Sequence, residues 1–480
     1  MRGLAKVRGG LALLILPVLG ACSLAPPYKR PAAPVPLSWP IGDAYLARSE
    51  ASVPTISYRD IFRDARLQAL VEQALANNRD LRIAAANIAV ARAQVGITRS
   101  AQFPQIGVSG TGSRSEGGTG TNTATGATTQ SIARTNWALS AGVSAFELDL
   151  FGRLANATAA DRQRALATES AARTVRLGLV ADLANAWSTH AADAELLRIA
   201  QETATSARRS VDLTRALLGG GVAPRTDLRQ AEQILATAEA DVAAQKTALA
   251  QDANLIQLLV GAPVDAALLP RSLSDAMQSF AALPPGLGSD ILLRRPDVVE
   301  AEYSLRAANA EIGVARAELF PRLSLTGLFG FASNALRTLF DSDSFTKSAS
   351  GSVSQTIFAA GGIRSGIRLT EAQRDGAVAN YERAIQTAFR EVSDALARQG
   401  TIADELRAAS ARATAARDSA RLTEARYRGG VASSLENLDA QRSLYSAQQQ
   451  EIGTRLVAVN NRVELYRALG GDQATGAAAP

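Results

Sequence analysis

The two residue types that most often carry enzyme chemistry each occur once in this chain of 480 residues, as Cys22 and His190. A thiol or an imidazole serves as nucleophile, general base or metal ligand, but each role needs a matched partner group. His190 lies inside a long helical pattern three residues after Trp187, which is typical of a packing residue. The sequence therefore predicts no catalytic residue, no metal site and no enzyme activity.

Two glycine runs, 219–221 and 429–430, raise the question of phosphate loops. A phosphate loop follows a strand and continues into a lysine and a serine or threonine. Neither run has these neighbours, and each interrupts a long helical pattern instead. The runs predict tight turns that reverse the chain between two helices.

Three residues shortly after the second glycine run share one face of a predicted helix. Leu435, Asp439 and Arg442 are spaced i, i+4 and i+7. If several copies surrounded one axis, this face would form stacked rings of leucine, aspartate and arginine. The spacing alone equally fits a solvated acid–base pair on an outer face, and both interpretations stay open at this point.

The first 21 residues have the features of a secretory signal peptide, with three basic residues and a short apolar run from Leu11 to Leu19. The string L-G-A-C at 19–22 is similar to a bacterial lipoprotein signal, which implies that Cys22 is lipidated, for example with palmitate. Ser23 resembles the neighbours of lipoproteins sent to the outer membrane. The alternative is a secreted protein with an accidental cysteine at the cut. The covalent lipid on Cys22 is the only cofactor that we expect.

Composition limits the remaining classes of protein. The balance of 51 basic and 45 acidic residues is close to even once the signal is removed, which gives no support to nucleic-acid binding. Aromatic residues make up only 5% and alanine is abundant, which favours long, closely packed helices. No stretch after Cys22 is apolar for the roughly 20 residues that a transmembrane helix needs. A membrane crossing would therefore require strands.

The chain contains an internal duplication. Residues 78–110 align without gaps with 295–327 at an offset of 217, and later segments align at an offset of 210. Each copy holds two segments of period two and two long helical patterns. Seven-residue spacing in the returning helices favours side-by-side packing as in coiled coils, with an ordinary helix bundle as the alternative. A two-copy repeat of this length indicates a duplicated half-molecule.

The period-two segments carry small or polar residues on one side and apolar residues on the other. This alternation fits strands with one face in lipid and one in water, and it equally fits a soluble sandwich. Four strands cannot close a barrel, and open edges in lipid would leave backbone groups unpaired at several kcal/mol each. Further copies must then complete the ring. Three copies would leave a lumen, two would give a filled barrel, and four are not excluded.

The repeat and the composition divide the chain into six segments. In chain order these are a lipoprotein signal peptide (1–21), a lipidated N-terminal tether (22–62), a first repeat (63–262, with a strand pair at 103–151 and a hairpin tip at 219–224), a linker or equatorial region (263–294), a second repeat (295–470, with a strand pair at 320–358 and a hairpin tip at 429–432) and a C-terminal tail (471–480).

Several strings, together with this layout, resemble one known family. They are ELDLFGR at 147–153, RRPD at 294–297, IFAAGG at 357–362 and YRGGV with LDAQRSL within 427–444. They are similar to the outer-membrane factors of the TolC family, and within it to the OprM/NodT-type efflux lipoproteins. The resemblance implies a mainly α fold with a membrane β-barrel, in which a trimeric 12-stranded β-barrel joins a 12-helix periplasmic α-barrel and each chain is an internal two-fold repeat.

The resemblance also implies a function and partners. A homotrimer in the outer membrane, anchored by lipid and extending into the periplasm, would be the passive exit duct of a tripartite efflux system. It would receive small molecules from a periplasmic adaptor protein and an inner-membrane pump, with an RND-type pump and multidrug export expected. The alternatives are a type I secretion outer-membrane channel and a non-conducting structural lipoprotein that spans the periplasm.

Two sets of site residues follow from the resemblance. Leu435, Asp439, Arg442 and, on the facing helix, Tyr427 would form a periplasmic gate, with leucine excluding water and the charged pair holding the helices inward. The small residues of the two tips would be docking sites for the adaptor, with simple turn glycines as the alternative. These tip residues are Gly220, Gly221, Val222, Ala223, Gly430, Val431 and Ala432.

Overall fold

The computed structural model describes most of the chain. The described residues are 23–36, 38–40, 44–45, 57–116, 120–121, 128–129, 134–270, 272–280 and 289–471. The predicted signal peptide, the lipidation site Cys22 and the tail after residue 471 lie outside them. Within the described ranges, no helix combines the length and the apolar character that crossing a bilayer requires.

The helices follow the predicted pattern. They are α1 Tyr58–Ile61, α2 Ala65–Asn77, α3 Arg79–Ser100, α4 Arg153–Gly219, α5 Arg225–Val260, α6 Leu273–Ser279, α7 Pro296–Ala317, α8 Gly362–Arg428 and α9 Ser434–Ala468. The two long helices α4 and α8 each contain 67 residues, and each ends at one of the two predicted glycine turns. Short 3-10 turns and α6 occupy the described part of the predicted equatorial region.

The strands form one main sheet. They are β1 Ile106–Ser115, β2 Gly120–Thr121, β3 Thr128–Thr129, β4 Arg134–Leu148, β5 Arg322–Ser333 and β6 Phe345–Ser354. The antiparallel sheet has the order β1-β4-β5-β6, so each repeat contributes a neighbouring pair. The short strands β2 and β3 pair with each other in the segment between β1 and β4.

The strand pairing confirms the duplication and corrects its offset. Ile106 pairs with Val143 in the first repeat, and Leu323 pairs with Val353 in the second, which matches offsets of 217 and 210. A β-bulge then shifts the register of β4. Because a bulge adds one residue to a strand, the offset becomes 209 from there on, as the first residues of α4 and α8 show. The predicted offset of 210 for the helical hairpins is therefore wrong by one residue.

The chain folds into two compact units, and each unit draws on both repeats. The sheet unit comprises the described residues of 1–31, 88–167 and 302–380. The hairpin unit comprises those of 32–87, 168–301 and 381–480.

In the hairpin unit, a side chain at the start of α3 bonds to the end of α5, and a side chain at the start of α7 bonds to the end of α9. The Asn78 amide donates to the carbonyl of Leu259 at the end of α5, at 2.8 Å. At the matched place, the buried Arg295 guanidinium donates to the carbonyl of Ala468 at the end of α9, also at 2.8 Å. These side chains satisfy helix-end carbonyls that would otherwise have no partner, and they stack the two helices end to end.

The largest buried side chains lie in the hairpin unit. Trp187 of α4 is fully buried, and its indole N–H donates to the carbonyl of Leu268 at 3.1 Å. Phe62 packs edge-on against Phe280 and Tyr466, with ring centroids 5.3 and 5.4 Å apart. The predicted linker region thus supplies core residues, because aromatic rings bury large apolar areas.

In the sheet unit, the segment after the lipidation site lies against α7. Arg30 forms an ion pair with Glu302 at 2.5 Å, and the Asn309 amide donates to the carbonyl of Pro26 at 2.8 Å. The Ser23 hydroxyl donates to Asn156 of α4 at 2.8 Å. The described start of the predicted tether is therefore held to the body by specific side-chain contacts.

Candidate functional site

The two hairpin tips have the same backbone geometry. The N–H of Val222 donates to the carbonyl of Leu217, and the N–H of Val431 donates to the carbonyl of Arg426, each at 2.9 Å. In both turns one glycine takes a left-handed φ, +73° at Gly221 and +72° at Gly430, as glycine allows at a helix end. Both valines are largely exposed. Each predicted docking tip thus presents one apolar side chain on a glycine turn.

The helices that leave the tips begin differently. Ser433 caps α9 by accepting a hydrogen bond from the N–H of Glu436 at 3.2 Å, whereas Pro224 precedes α5 without a side-chain cap. The hydroxyl of Ser434 donates to Asp227 in the first turn of α5 at 2.5 Å. This contact ties the start of one returning helix to the start of the other.

Three of the predicted gate residues lie on the first turns of α9. The Arg442 guanidinium donates to Asp439 at 2.6 Å, and these side chains are 73% and 60% exposed. An exposed pair at this spacing stabilises a helix by only about 0.3–0.5 kcal/mol. The pair therefore adds little to the stability of α9.

Leu435, Asp439 and Arg442 line a cavity of about 320 Å³ between α5 and α9. Its α9 wall contains Leu435, Leu438, Asp439, Gln441, Arg442 and Tyr445, and its remaining lining residues are Thr203, Gln230, Gln233, Ile234, Thr237 and Ala238. Leu438 also belongs to a buried apolar cluster with Val211, Leu228 and Ala231. The apolar cluster fixes the α9 backbone against the first hairpin, while the polar side chains remain at the cavity wall.

Tyr427, the fourth predicted gate residue, makes a contact between the two hairpins. Its hydroxyl lies 3.3 Å from that of the buried Thr214 on α4. The Gln441 amide of α9 also contacts α4 nearby, since it donates to the hydroxyl of Ser210 at 3.3 Å. Movement of the second hairpin, α8 and α9, away from α4 would break both contacts.

Sequence reasoning missed a bond between Tyr445 and Asp241. The tyrosine hydroxyl donates to the carboxylate of Asp241 on α5 at 3.0 Å. Burial and then this hydrogen bond raise the pKa of Tyr445 to about 12, so the phenol stays protonated and remains a donor. The seven-residue spacing of Leu438, Tyr445 and Ile452 indicated a helix contact, but no sequence signal identified the polar partner.

A second missed feature is a carboxyl pair between α4 and α5. Burial raises the pKa values of both Asp193 and Asp252. The charge of Asp193 and a hydrogen bond to it raise the pKa of Asp252 further, to about 6, whereas the same bond lowers the pKa of Asp193. A hydrogen bond between two carboxyl groups requires one proton. At the offset of 209, the residue that matches Asp252 is the neutral Asn461, whose amide donates to the carbonyl of Ala395 at 3.1 Å.

The single histidine has a buried environment. His190 is buried on α4, and burial lowers its pKa, so the imidazole is uncharged near neutral pH. In the part of the chain that the structure describes, no three histidine, cysteine, aspartate or glutamate side chains come together as a metal site.

A duplicated chain with one four-stranded sheet and two long helical hairpins defines a class of channel protein, and comparison with known proteins gives the family. The family model for outer membrane efflux proteins matches residues 70–262 and 287–471. The toluene efflux pump outer membrane protein TtgC of Pseudomonas putida is 41% identical over 456 residues, covering 95% of this chain and 93% of TtgC. The chain belongs to the outer membrane efflux protein family.

Two further similarities support the family and the fold. The cation efflux system protein CusC of Escherichia coli K12 is 37% identical over 454 residues, covering 94% of this chain and 97% of CusC. The open-state structure of the MtrE outer membrane channel of Neisseria gonorrhoeae is 30% identical, with a TM-score of 0.81 over 94% of this chain and 99% of MtrE. The predicted fold class and the resemblance stated from the sequence motifs are confirmed.

Proposed function

We propose that this chain is the outer-membrane exit duct of a tripartite efflux system, fed by a periplasmic adaptor and an inner-membrane pump of the RND type. One observation carries the proposal: a single chain combines a sheet with two edge strands and two hairpins built on 67-residue helices. A 67-residue helix is about 100 Å long, which is enough for a duct that begins in one membrane and extends far from it.

The similarity to relatives named for different cargo favours a duct without cargo selectivity of its own. TtgC is named for toluene and CusC for cations, yet they are 41% and 37% identical to this chain. An apolar solvent and a metal cation share no binding chemistry. Selection of the cargo is therefore assigned to the pump and the adaptor.

Assembly and anchoring complete the proposal. Three copies supply twelve strands, which close a barrel wide enough to keep a lumen, whereas two copies supply eight and fill it. A lipid on Cys22 adds an anchor in the outer membrane, and one acyl chain alone would bind only weakly and reversibly. The strands therefore provide most of the attachment to the membrane, and the lipid assists insertion and orientation.

The proposed gate consists of Leu435, Asp439, Arg442 and Tyr427. Three of them line one cavity, and Tyr427 bonds to the neighbouring hairpin. Around a threefold axis the leucines would form an apolar constriction that excludes water, and the charged pairs would hold α9 inward. An adaptor that docks at the tips, where Val222 and Val431 are exposed, would shift the balance toward the open state.

Single-channel recording in planar bilayers tests the duct and the gate together. We expect the wild-type protein to conduct, and Asp439→Ala or Arg442→Ala to raise its conductance severalfold. Asp418→Ala on α8 is the matched control, because Asp418 forms an equally exposed i, i+3 pair with Arg421. An unchanged conductance in the two gate variants would remove the gate assignment.

The rival functions give different results. A structural lipoprotein would not conduct at all. A type I secretion channel would conduct, but deletion of its gene would abolish export of a protein and leave resistance to small toxic compounds unchanged.

A further inference from the structure

The two faces of the main sheet differ in chemical character. Strand pairing places Phe329 beside Lys347 and Phe331 beside Phe345, so these side chains share one face. Apolar side chains on this face are 44% to 80% exposed, namely Ile106, Val108, Leu325, Phe329, Phe345 and Val353. The other face of β6 carries only serine and threonine. A sheet in the outer membrane turns its apolar face to the lipid, so we call this face the lipid face.

The two ends of the lipid face lie toward opposite sides of the membrane. The start of β5 follows α7, and the end of β6 leads into α8, so these strand ends are joined to the periplasmic helices. The turn between β5 and β6 is at the other end and therefore on the side of the outer leaflet. The 10 residues of β6 match the roughly 9–11 residues that a tilted strand needs to cross a bilayer.

Three aromatic rings meet at the outer end of the lipid face. Phe340 and Phe345 pack edge-on against Phe331, with ring centroids 5.5 and 5.7 Å away. The hydroxyl of Ser344 donates to the carbonyl of Thr338 at 2.6 Å and fixes the turn that carries Phe340. Exposed aromatic side chains near the ends of membrane strands lie at the level of the lipid headgroups. This aromatic trio therefore marks the outer-leaflet interface.

Lys347 is an isolated cation on the lipid face. The other charged residue of the four strands on this face, Arg114, forms an ion pair with Glu116 at 2.6 Å. Among the described residues, no carboxylate bonds to Lys347, and strand pairing places none on the lipid face of the four strands. Lys347 lies two residues from Phe345 toward α8, which is about 7 Å along the strand. A charge at this depth is costly unless it finds a polar partner.

The charges of the neighbouring turn do not supply that partner. Arg337, Asp341 and Asp343 all lie in the turn, at the water end of the strands. Asp343 accepts a hydrogen bond from the hydroxyl of Ser342 at 3.4 Å. Lys347 lies on the lipid side of the aromatic trio, and its long apolar stem lets the ammonium reach toward the headgroups while the stem stays in lipid. The counter-ion must then come from the lipid.

We propose that Lys347 binds the phosphate group of a lipid in the outer leaflet, while the exposed rings of Phe329 and Phe345 pack against the acyl chains of that lipid. The ammonium is a compact charge with three donors, which suits the oxygens of a phosphate. Phosphate is an anionic group that lipids present at the level of the aromatic trio. The site requires the sheet to lie in the outer membrane, and it is independent of conduction and gating.

Native mass spectrometry of the full-length protein in detergent tests the site. Diphosphoryl lipid A, a phosphorylated glycolipid, is titrated into the wild-type protein and into Lys347→Gln, and the bound lipids are counted. We expect Lys347→Gln to weaken binding about tenfold, because a hydrogen bond to a charged group is strong. Lys347→Arg keeps the charge and should stay within about twofold of the wild type. Lipid A without its phosphates should bind the wild type and Lys347→Gln equally.

A matched control removes the same charge elsewhere. Lys246 is an exposed lysine of α5 in the hairpin unit, so Lys246→Gln should bind lipid A as the wild type does. Equal lipid binding by Lys347→Gln and the wild type would overturn the site. Equal weakening in Lys246→Gln would overturn it too, since the effect would then follow net charge alone.

A second measurement distinguishes lipid from a carboxylate of the protein as the partner of Lys347. Thermal unfolding in lipid-free detergent should be the same for the wild type and Lys347→Gln, because the partner is absent from both samples. A lower unfolding temperature of Lys347→Gln under these conditions would show an ion pair within the protein or between copies and would overturn the proposal. Lipid binding without conduction would contradict the proposed duct and leave the lipid site intact.

Discussion

The helices α3 and α7 occupy the same place in the two repeats but have different surroundings. On α3, Ile83, Val90 and Ile97 form a stripe at seven-residue spacing and are 58%, 68% and 65% exposed. On α7, residues 23–30 cover the surface and bond to Glu302 and Asn309. A duplicated chain still has only one N-terminus, so only one of the two copies can receive this cover. The difference shows that the two copies of this helix have different packing partners within the chain.

The two returning helices differ in charge at their midpoints. Asp252 of α5 shares a hydrogen bond with Asp193, whereas the matched residue Asn461 of α9 donates a neutral amide hydrogen bond. The first hairpin therefore carries a titratable carboxyl pair at a place where the second carries a neutral amide. Duplication preserved the backbone in both cases, and single substitutions gave the copies different chemistry.

The glycines Gly313 and Gly96 provide the strongest test of the comparison between α7 and α3. A Cβ atom at Gly313 would lie 2.8 Å from the backbone nitrogen of Ala25 and 2.6 Å from the Asn156 amide, while at Gly96 it would meet nothing within 4 Å. We expect Gly313→Ala to destabilise the folded protein by about 1–3 kcal/mol through overpacking. Gly96→Ala should be neutral or stabilising by up to about 1 kcal/mol, since alanine favours helices.

Thermal unfolding in detergent, followed by circular dichroism, measures both variants. Limited proteolysis near residue 30 reports whether the N-terminal segment leaves α7 in Gly313→Ala. Equal shifts in the two midpoints would contradict the unequal cover of the two helices.

The carboxyl pair predicts a pH dependence that is specific to the first hairpin. The pKa of Asp252 is raised from 3.8 to about 6, so its contribution to stability is complete below pH 4 and is lost as the pH rises through 6. We expect the unfolding temperature of the wild-type protein to fall between pH 4.5 and 7.5. Asp252→Asn should flatten this slope, because an amide donates without titrating.

A matched control for this variant is Asp212→Asn on α4. Asp212 is exposed and pairs with Arg215 at 3.3 Å, so its replacement should leave the slope unchanged. Infrared difference spectra offer a direct check, since a protonated carboxyl band should disappear near pH 6 in the wild-type protein. If that band titrates unchanged in Asp252→Asn, the shared proton lies elsewhere.

The smallest expected effect concerns the bond between Tyr445 and Asp241. Tyr445→Phe removes one hydrogen bond between the returning helices, which is worth about 0.5–1.5 kcal/mol. We expect a small decrease in unfolding temperature, together with a higher open probability in single-channel records. Tyr303→Phe on α7, outside the hairpin unit, serves as the control for loss of a tyrosine hydroxyl. An effect of equal size in the control would remove Tyr445 from the gate region.

The sequence predicted the architecture well where local signals are strong. Glycine turns ended α4 and α8, and period-two patterns located β1, β4, β5 and β6, because these signals act over a few residues. The bulge in β4 was not predicted, since one extra residue leaves the alternating pattern almost intact. Docking of residues 23–30 and the Asp193–Asp252 pair depend on the alignment of distant segments, which no local pattern reports.

The candidate site was likewise predicted where the signal is local and missed where it depends on contacts between distant segments. The helical spacing of Leu435, Asp439 and Arg442 placed them on one face, and the structure collects them at one cavity. Their roles in gating, the docking roles of the tips and the lipid on Cys22 stay predictions. Tyr445 and Asp241 were missed because their contact joins two helices whose relative rotation cannot be read from a single pattern.

The hydrogen bond from Ser23 to Asn156 limits the distance between the body of the protein and any lipid on the preceding cysteine. An acyl group on Cys22 would begin one peptide unit, about 3.8 Å, from a residue that is fixed to the body. An anchor attached this closely would keep the protein at the bilayer surface and would restrict its rotation there. The lipid would then limit how deeply the protein can insert into the membrane.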